Sequence, residues 1–228
     1  MSKTDFQNGF ALGLVSGGVV EGDRLMQEFW DVYQDKGNRT DYATAFGGAG
    51  WNNETFKPKY DIKPTNAYMM FRTCGFVGDL QAYLESLGVV LDFSSATNTQ
   101  YIFYSCKEIT RIGRVDVTAS TNSTQADNIF NQCRSLERVE CFVVNANTKF
   151  NISSFYNCDN LKYVGFEGNI SNSLNFQHSS LLTNECVQGI IDHLATITTV
   201  QTLTLHPSVV VHEEQKATIL SKGWTLVQ

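Results

Sequence analysis

The chain has 228 residues, 42% of them hydrophobic and 18% charged, and carries a net charge of −6. That length suits one large domain or two small ones, and the composition is that of a folded globular chain rather than a disordered or fibrous one. No Lys/Arg run interleaves with aromatics, which argues against a nucleic-acid reader. No stretch reaches the roughly 20 apolar residues of a membrane helix. The apolar run Phe10–Val15 lacks the basic flank and length of a signal peptide, so the chain is expected to be made in a cytoplasm without membrane insertion.

From the N-terminus, residues 4–15 read as a first helix, with Thr4-Asp5-Phe6-Gln7 as a capping box. A second helix is predicted from about Asp23 to Lys36. Met26, Phe29, Trp30 and Tyr33 fall on one face of it, at i, i+3, i+4 and i+7. Two readings of that stripe stay open. It docks on the chain's own first repeat as a cap, or it is an oligomer or docking interface. Residues 37–66 form a turn-rich connector with large anchors, Phe46, Trp51, Phe56 and Tyr60, rather than a flexible Gly/Ser linker.

A recurring word follows, aromatic-x-x-Cys-x-x-apolar-x-x-apolar. It reads Phe103…Cys106…Ile109…Ile112, then Phe130…Cys133…Leu136…Val139, then Phe155…Cys158…Leu161…Val164. Its front half stands earlier, at Phe71-Arg72-Thr73-Cys74, and the phenylalanines are 32, 27 and 25 residues apart. Self-similarity at such periods marks units that cannot bury their apolar faces alone and must stack on neighbours. Phe71, Cys74, Phe103, Cys106, Phe130, Cys133, Phe155 and Cys158 are therefore the expected repeat core. Each word leads into a β-prone run, at Val89–Phe93, Ile112–Val117, Val139–Val144 and Tyr163–Phe166. The Phe71–Phe103 interval is about six residues too long for the pattern, so the first repeat is expected to be irregular.

After Phe176 the pattern changes. Thr183 caps a predicted helix to about Ala195, with Val187, Ile190, Ile191 and Leu194 as its apolar stripe. Val200–Leu205 reads as a strand, Glu213–Lys222 as a helix, and Trp224–Val227 as a last strand. The expected division is an N-terminal helical attachment segment (1–65), a repeat region (66–182) and a C-terminal α/β cap (183–228).

Chemistry is sparse. No HExxH, GxSxG, GxxxxGK[ST] or GxGxxG occurs. Six cysteines are present, but no Cys-x-x-Cys pair offers metal-ligand spacing. No cofactor or metal site is expected, and no catalytic residue. His193 beside Asp192, and Cys186 seven residues before His193 on a shared helix face, are conceivable pairs that lack any marked third group or cleft. A glycan hydrolase would need two carboxylates about 5–10 Å apart across a cleft, and the sequence offers no clear pair. Tyr104, Tyr156 and Tyr163 are candidates for stacking on sugars or gripping a protein.

The word Phe-x-x-Cys-x-x-Leu-x-x-Val resembles the leucine-rich repeats of the BspA-like type. The Trp-rich connector (Phe29-Trp30-Asp31 … Trp51 … Phe56-Lys57-Pro58-Lys59-Tyr60) and the ending Lys222-Gly223-Trp224-Thr225-Leu226 are similar to repeat proteins of tailed phages and prophages of gut Firmicutes. The resemblance implies a short leucine-rich-repeat solenoid with an N-terminal helical segment and a C-terminal α/β cap. It implies a non-enzymatic virion protein, at a tail or baseplate, that contacts other virion proteins and a host-surface protein or glycan, expected as a homo-oligomer. The other reading is a bacterial leucine-rich-repeat protein that binds a protein or glycan partner without a phage role.

Overall fold

The computed structural model describes residues 19–122, 125–148 and 150–228. The helix expected at residues 4–15 lies outside them. The described chain is mixed α/β with parallel sheets. Helix α1 (Val19–Tyr33) comes first. Strand β1 (Gly78–Asp79), helix α2 (Leu80–Ser86) and strands β2 (Ile109–Asp116), β3 (Arg138–Val143) and β4 (Tyr163–Glu167) follow. Strand β5 (Leu174–Phe176), helix α3 (Asn184–His193), strand β6 (Gln201–Leu205), helix α4 (Glu213–Ser221) and strand β7 (Trp224–Val227) complete it.

Five chain segments stack in layers, at 41–48, 66–73, 98–105, 125–132 and 150–157. Each carries a phenylalanine in its sixth place, and these rings form one column. Phe46 to Phe71 is 5.3 Å between centroids, Phe71 to Phe103 is 5.2 Å, Phe103 to Phe130 is 5.9 Å and Phe130 to Phe155 is 5.3 Å. Phe176, 4.9 Å from Phe155, extends it into the second sheet. Cys74, Cys106, Cys133 and Cys158 stand three residues beyond their phenylalanines and form a second buried column.

The layers are held by a backbone pattern that the sequence hides. Residues two before the phenylalanine (Thr44, Met69, Tyr101, Asn128) and two after it (Thr73, Ser105, Gln132, Asn157) have positive φ, although none is glycine. Only in the first layer does glycine, Gly48, fill the second slot. A left-handed residue with a Cβ costs on the order of 1 kcal/mol. The turn so formed aims its N–H along the stack: Met69 donates to Gln100 O at 2.9 Å, Tyr101 to Asp127 O at 2.9 Å and Thr73 to Tyr104 O at 2.8 Å. The strain is thus offset by pairing groups that would otherwise be buried and unsatisfied.

Beyond each word the chain enters a four-stranded parallel sheet in the order β1-β2-β3-β4. Register advances one layer per strand, with Arg111 opposite Arg138 and Arg138 opposite Tyr163. The run Val89–Phe93 does not join this ladder; Leu91 makes a single bridge to Ile62. The long interval before Phe103 instead holds α2, capped by Asp79, whose Oδ1 accepts from Ala82 N at 2.8 Å.

Two expected boundaries shift. Stacking begins at Asp41, inside the expected attachment segment, because Asp41-x4-Phe46 has the same five-residue spacing as Asn66-x4-Phe71. The terminal sheet, order β5-β6-β7, begins at Leu174, inside the expected repeat region. Its pieces are well capped: Thr183 Oγ1 accepts from Cys186 N at 3.2 Å, and Lys222 Nζ donates to Ile191 O at 2.8 Å at the end of α3.

The stripe on α1 faces inward. Trp30 is fully buried, with its ring 6.0 Å from Phe46, 5.8 Å from Trp51 and 6.1 Å from Phe56. Met26 is buried, and Phe29 and Tyr33 pack against the same cluster. Gln34 clamps the connector to this end, accepting from Lys59 N at 2.8 Å and Tyr60 N at 3.0 Å. The reading of Met26, Phe29, Trp30 and Tyr33 as an external docking face is corrected here, because these side chains cover the first layer of their own chain. Among the described residues, the outward apolar positions of α1 are Leu25 and Val32, at 43% and 82% exposure.

Candidate functional site

Two long surfaces run along the stack, and they differ in how their polar groups are used. The outer face of the first sheet is a lattice of ion pairs. Arg111 bridges Asp79 at 3.1 Å and Glu140, Arg138 joins Glu140 at 2.8 Å, and Arg114 meets Glu167 at 2.5 Å. Arg138 also lies over the Tyr163 ring, 3.9 Å from its centroid, which places Tyr163 on this face and away from the other candidate tyrosines. Arg114 holds the Glu167 carboxyl below the usual range by hydrogen bonding. Exposed pairs of this kind contribute little stability each, but they leave the face internally neutralised.

The turn face is different. It is built from the residues two before and one after each column phenylalanine: Met69 and Arg72, Tyr101 and Tyr104, Asn128 and Asn131, with Tyr156 in the next layer. The first six of these flank a shallow depression of roughly 430 Å³, with Tyr68 at its edge. The rings fix one another. Tyr101 meets Tyr104 edge to face at 5.5 Å, and Tyr68 meets Tyr101 at 6.5 Å and 76°. Gln132 Nε2 donates to the Tyr104 hydroxyl at 2.6 Å, and the Arg72 guanidinium lies 5.7 Å from the Tyr104 ring centroid. Asn131 is buried, and its Nδ2 donates to Asn128 Oδ1 at 2.9 Å. Further along, Tyr156 packs edge-on to His178 at 4.5 Å. Among the described residues that line the depression there is no carboxylate, and Arg72 is the one charged group.

Tyr104 and Tyr156 were visible as candidates in the sequence; Tyr68, Tyr101, Arg72, Asn128 and Asn131 were not. Positions −2 and +1 relative to the repeating phenylalanine vary between layers, but so do −3 and +2, so variation alone does not single them out.

A second cleft, about 640 Å³, lies between α2 and the sheet and carries Glu85, Asp92, Asp116 and Arg114. Its aspartates close their own turns. Asp116 Oδ1 accepts from Thr118 N at 3.0 Å and from its Oγ1 at 2.7 Å, and Asp92 Oδ1 accepts from Ser94 N at 2.9 Å. The C-terminal pairs do not assemble either. His193 Nδ1 contacts Gly189 O at 2.8 Å within its helix, Asp192 accepts from Gln188 at 2.7 Å, and Cys186 is buried, with burial pushing its thiol up to about 11. Among the described residues, no group of three or more His, Cys, Asp or Glu is placed to hold a metal ion, and no helix is long and apolar enough to cross a membrane.

No family model, curated protein or solved structure matches the chain.

Proposed function

We propose that the stacked layers are a short leucine-rich-repeat solenoid and that the protein is a non-enzymatic structural and adhesive component of a phage particle, at its tail or baseplate. The observation that carries the adhesive part is the tyrosine-lined turn face. Tyrosine offers large amphipathic contact area with few rotatable bonds. Here the rings are already fixed by each other and by Gln132, so little entropy is lost on contact. Amide groups between them supply directional hydrogen bonds to a protein or glycan surface. In the cleft beside α2, Asp92 and Asp116 serve as turn acceptors. The virion assignment rests on the likeness of the repeat word and of the two ends to phage repeat proteins.

The test uses particles carrying Tyr101→Ala/Tyr104→Ala, with Arg111→Ala/Arg114→Ala on the sheet face as the comparison. Adsorption to host cells should fall at least tenfold for the tyrosine variant, about 1.4 kcal/mol, and remain near normal for the arginine variant. The opposite ranking overturns the choice of face. Recovery of the protein free of particles, with binding to a bacterial surface glycan or protein intact, would favour the bacterial repeat-protein reading.

A further inference from the structure

The cysteine column contains an exception. Cys106, Cys133 and Cys158 each donate a thiol hydrogen to the phenylalanine carbonyl one layer before, at 2.9 Å to Phe71 O, 2.9 Å to Phe103 O and 3.1 Å to Phe130 O. Cys74 instead directs its thiol to the sulfur of Cys106, 3.4 Å away. It is also the outermost member of the column, 5% exposed where the other three are 0%. Their layers are paired directly, Thr73 N donating to Tyr104 O at 2.8 Å. Neighbouring paired chains run about 5 Å apart, inside the roughly 4.4–6.8 Å between Cα atoms that a disulfide accepts. The two sulfurs therefore need side-chain rotation, not a new fold, to bond.

We propose that Cys74 and Cys106 are a dithiol site that a low-molecular-weight disulfide of the glutathione class converts into an intramolecular disulfide. Cys74, the outer thiol, attacks as its thiolate. It forms a mixed disulfide and releases one molecule of the small thiol. Cys106 loses its proton and attacks the Cys74 sulfur, which closes the internal bond and releases the second small thiol. Two electrons pass from the protein to the oxidant, and both protons leave on the released thiols. Cys106 is the resolving partner because burial pushes its thiol well above the ordinary value, so it does not start the exchange. Cys133 and Cys158 direct their thiols to carbonyls with no sulfur–sulfur hydrogen bond like that of Cys74 to Cys106, and they take no part. The bond would tie two adjacent layers across the α2 insertion, the one long excursion in the stack.

The experiment uses the full-length folded protein and oxidised glutathione. After acid quench and unfolding, free thiols are alkylated and the chain is cut with trypsin. Cys74 and Cys106 fall on one peptide, 73–107, which holds no Lys or Arg before Lys107. That peptide should carry no alkyl group and weigh two hydrogens less than its free dithiol form, while Cys133 and Cys158 remain alkylated. Cys106→Ser should stop at a glutathione adduct on Cys74. In wild type at limiting oxidant, the same adduct should rise and then decay into the internal disulfide. A wild-type adduct that persists, a bond from Cys106 to Cys133, or two thiols still free when an equal exposure has oxidised dithiothreitol would overturn the proposal.

Discussion

Replacing Phe103 by alanine removes the middle of the aromatic column. Phe103 is fully buried, stacked on Phe71 at 5.2 Å and 9° and on Phe130 at 5.9 Å and 4°, with Phe93 edge-on at 6.1 Å. A buried Phe→Ala change costs about 3–5 kcal/mol, and the spread depends on how far the site can collapse. Here collapse is resisted on both sides. Phe103 N is bonded to Ile129 O at 3.0 Å and Phe71 N to Ile102 O at 2.8 Å, so layer spacing is set by the backbone and the cavity stays open. The cost should sit near the top of that range, about 4–5 kcal/mol, which is a quarter or more of the ~5–15 kcal/mol that holds a typical domain folded. Phe103→Leu keeps most of the apolar contact and should cost about 1–2 kcal/mol. Urea unfolding followed by far-UV circular dichroism and tryptophan fluorescence would measure both. A Phe103→Ala loss below about 2 kcal/mol, or a leucine variant as damaged as the alanine one, would show that the column does not carry the stack.

Gly168→Ala should be strongly destabilising, by more than about 2 kcal/mol, since Gly168 has a φ of +85° and an added Cβ would lie 1.9 Å from Val144 O; a thermal melt decides it. Cys133→Ser should cost only about 1 kcal/mol, because the hydroxyl inherits Phe103 O as an acceptor, whereas Cys133→Ala loses that bond as well as volume; equal losses by denaturant titration would discount the thiol's bond. Under a thiol reagent, half-buried Cys141 should label first and Cys133 and Cys158 only on unfolding, as peptide mapping would reveal. Burial raises the Asp127 carboxyl above its ordinary value. A raised folded value favours folding below the unfolded pKa of about 4 and loses that contribution as pH rises through it. Asp127→Asn should therefore melt higher than wild type at neutral pH, with the gap closing in acid; a gap constant with pH would refute the assignment.

The Phe-x-x-Cys spacing made four of the five layers legible, because a ring and a small soft side chain at fixed offset can only be satisfied by a like pair above and below. The first layer was missed for a physical reason. Its ring slot is filled by Phe46, but its cysteine slot holds Ala49, so the word is broken while the Asp41-to-Phe46 spacing survives. The α1 stripe was legible as amphipathic, but a stripe cannot say what it covers, and only the buried Trp30 against Phe46, Trp51 and Phe56 assigns it to its own chain. Val89–Phe93 was read as a strand on β-propensity alone, whereas the run makes one bridge, Leu91 to Ile62, and the extra length of this interval goes into α2 just before it, where Leu80 and Leu84 bury. Half of the candidate face was hidden because Met69, Tyr101 and Asn128 owe their outward direction to left-handed backbone, which residues of these types rarely signal.

The turns of the layered face share one direction. Tyr42, Thr44 and Phe46 donate forward to the second layer, Ala67, Met69, Phe71 and Thr73 to the third, and Thr99, Tyr101, Phe103 and Ser105 to the fourth. Peptide dipoles aligned head to tail add up, whether a helix or a pile of turns aligns them. This side of the molecule is therefore electrically polar along its length. Its carbonyl-rich, negative pole lies under α1, and its amide-rich, positive pole lies toward Tyr156 and His178. A ligand lying along the tyrosines would meet a gradient of potential, so an elongated partner with one anionic end has a preferred way round before any side chain has touched it.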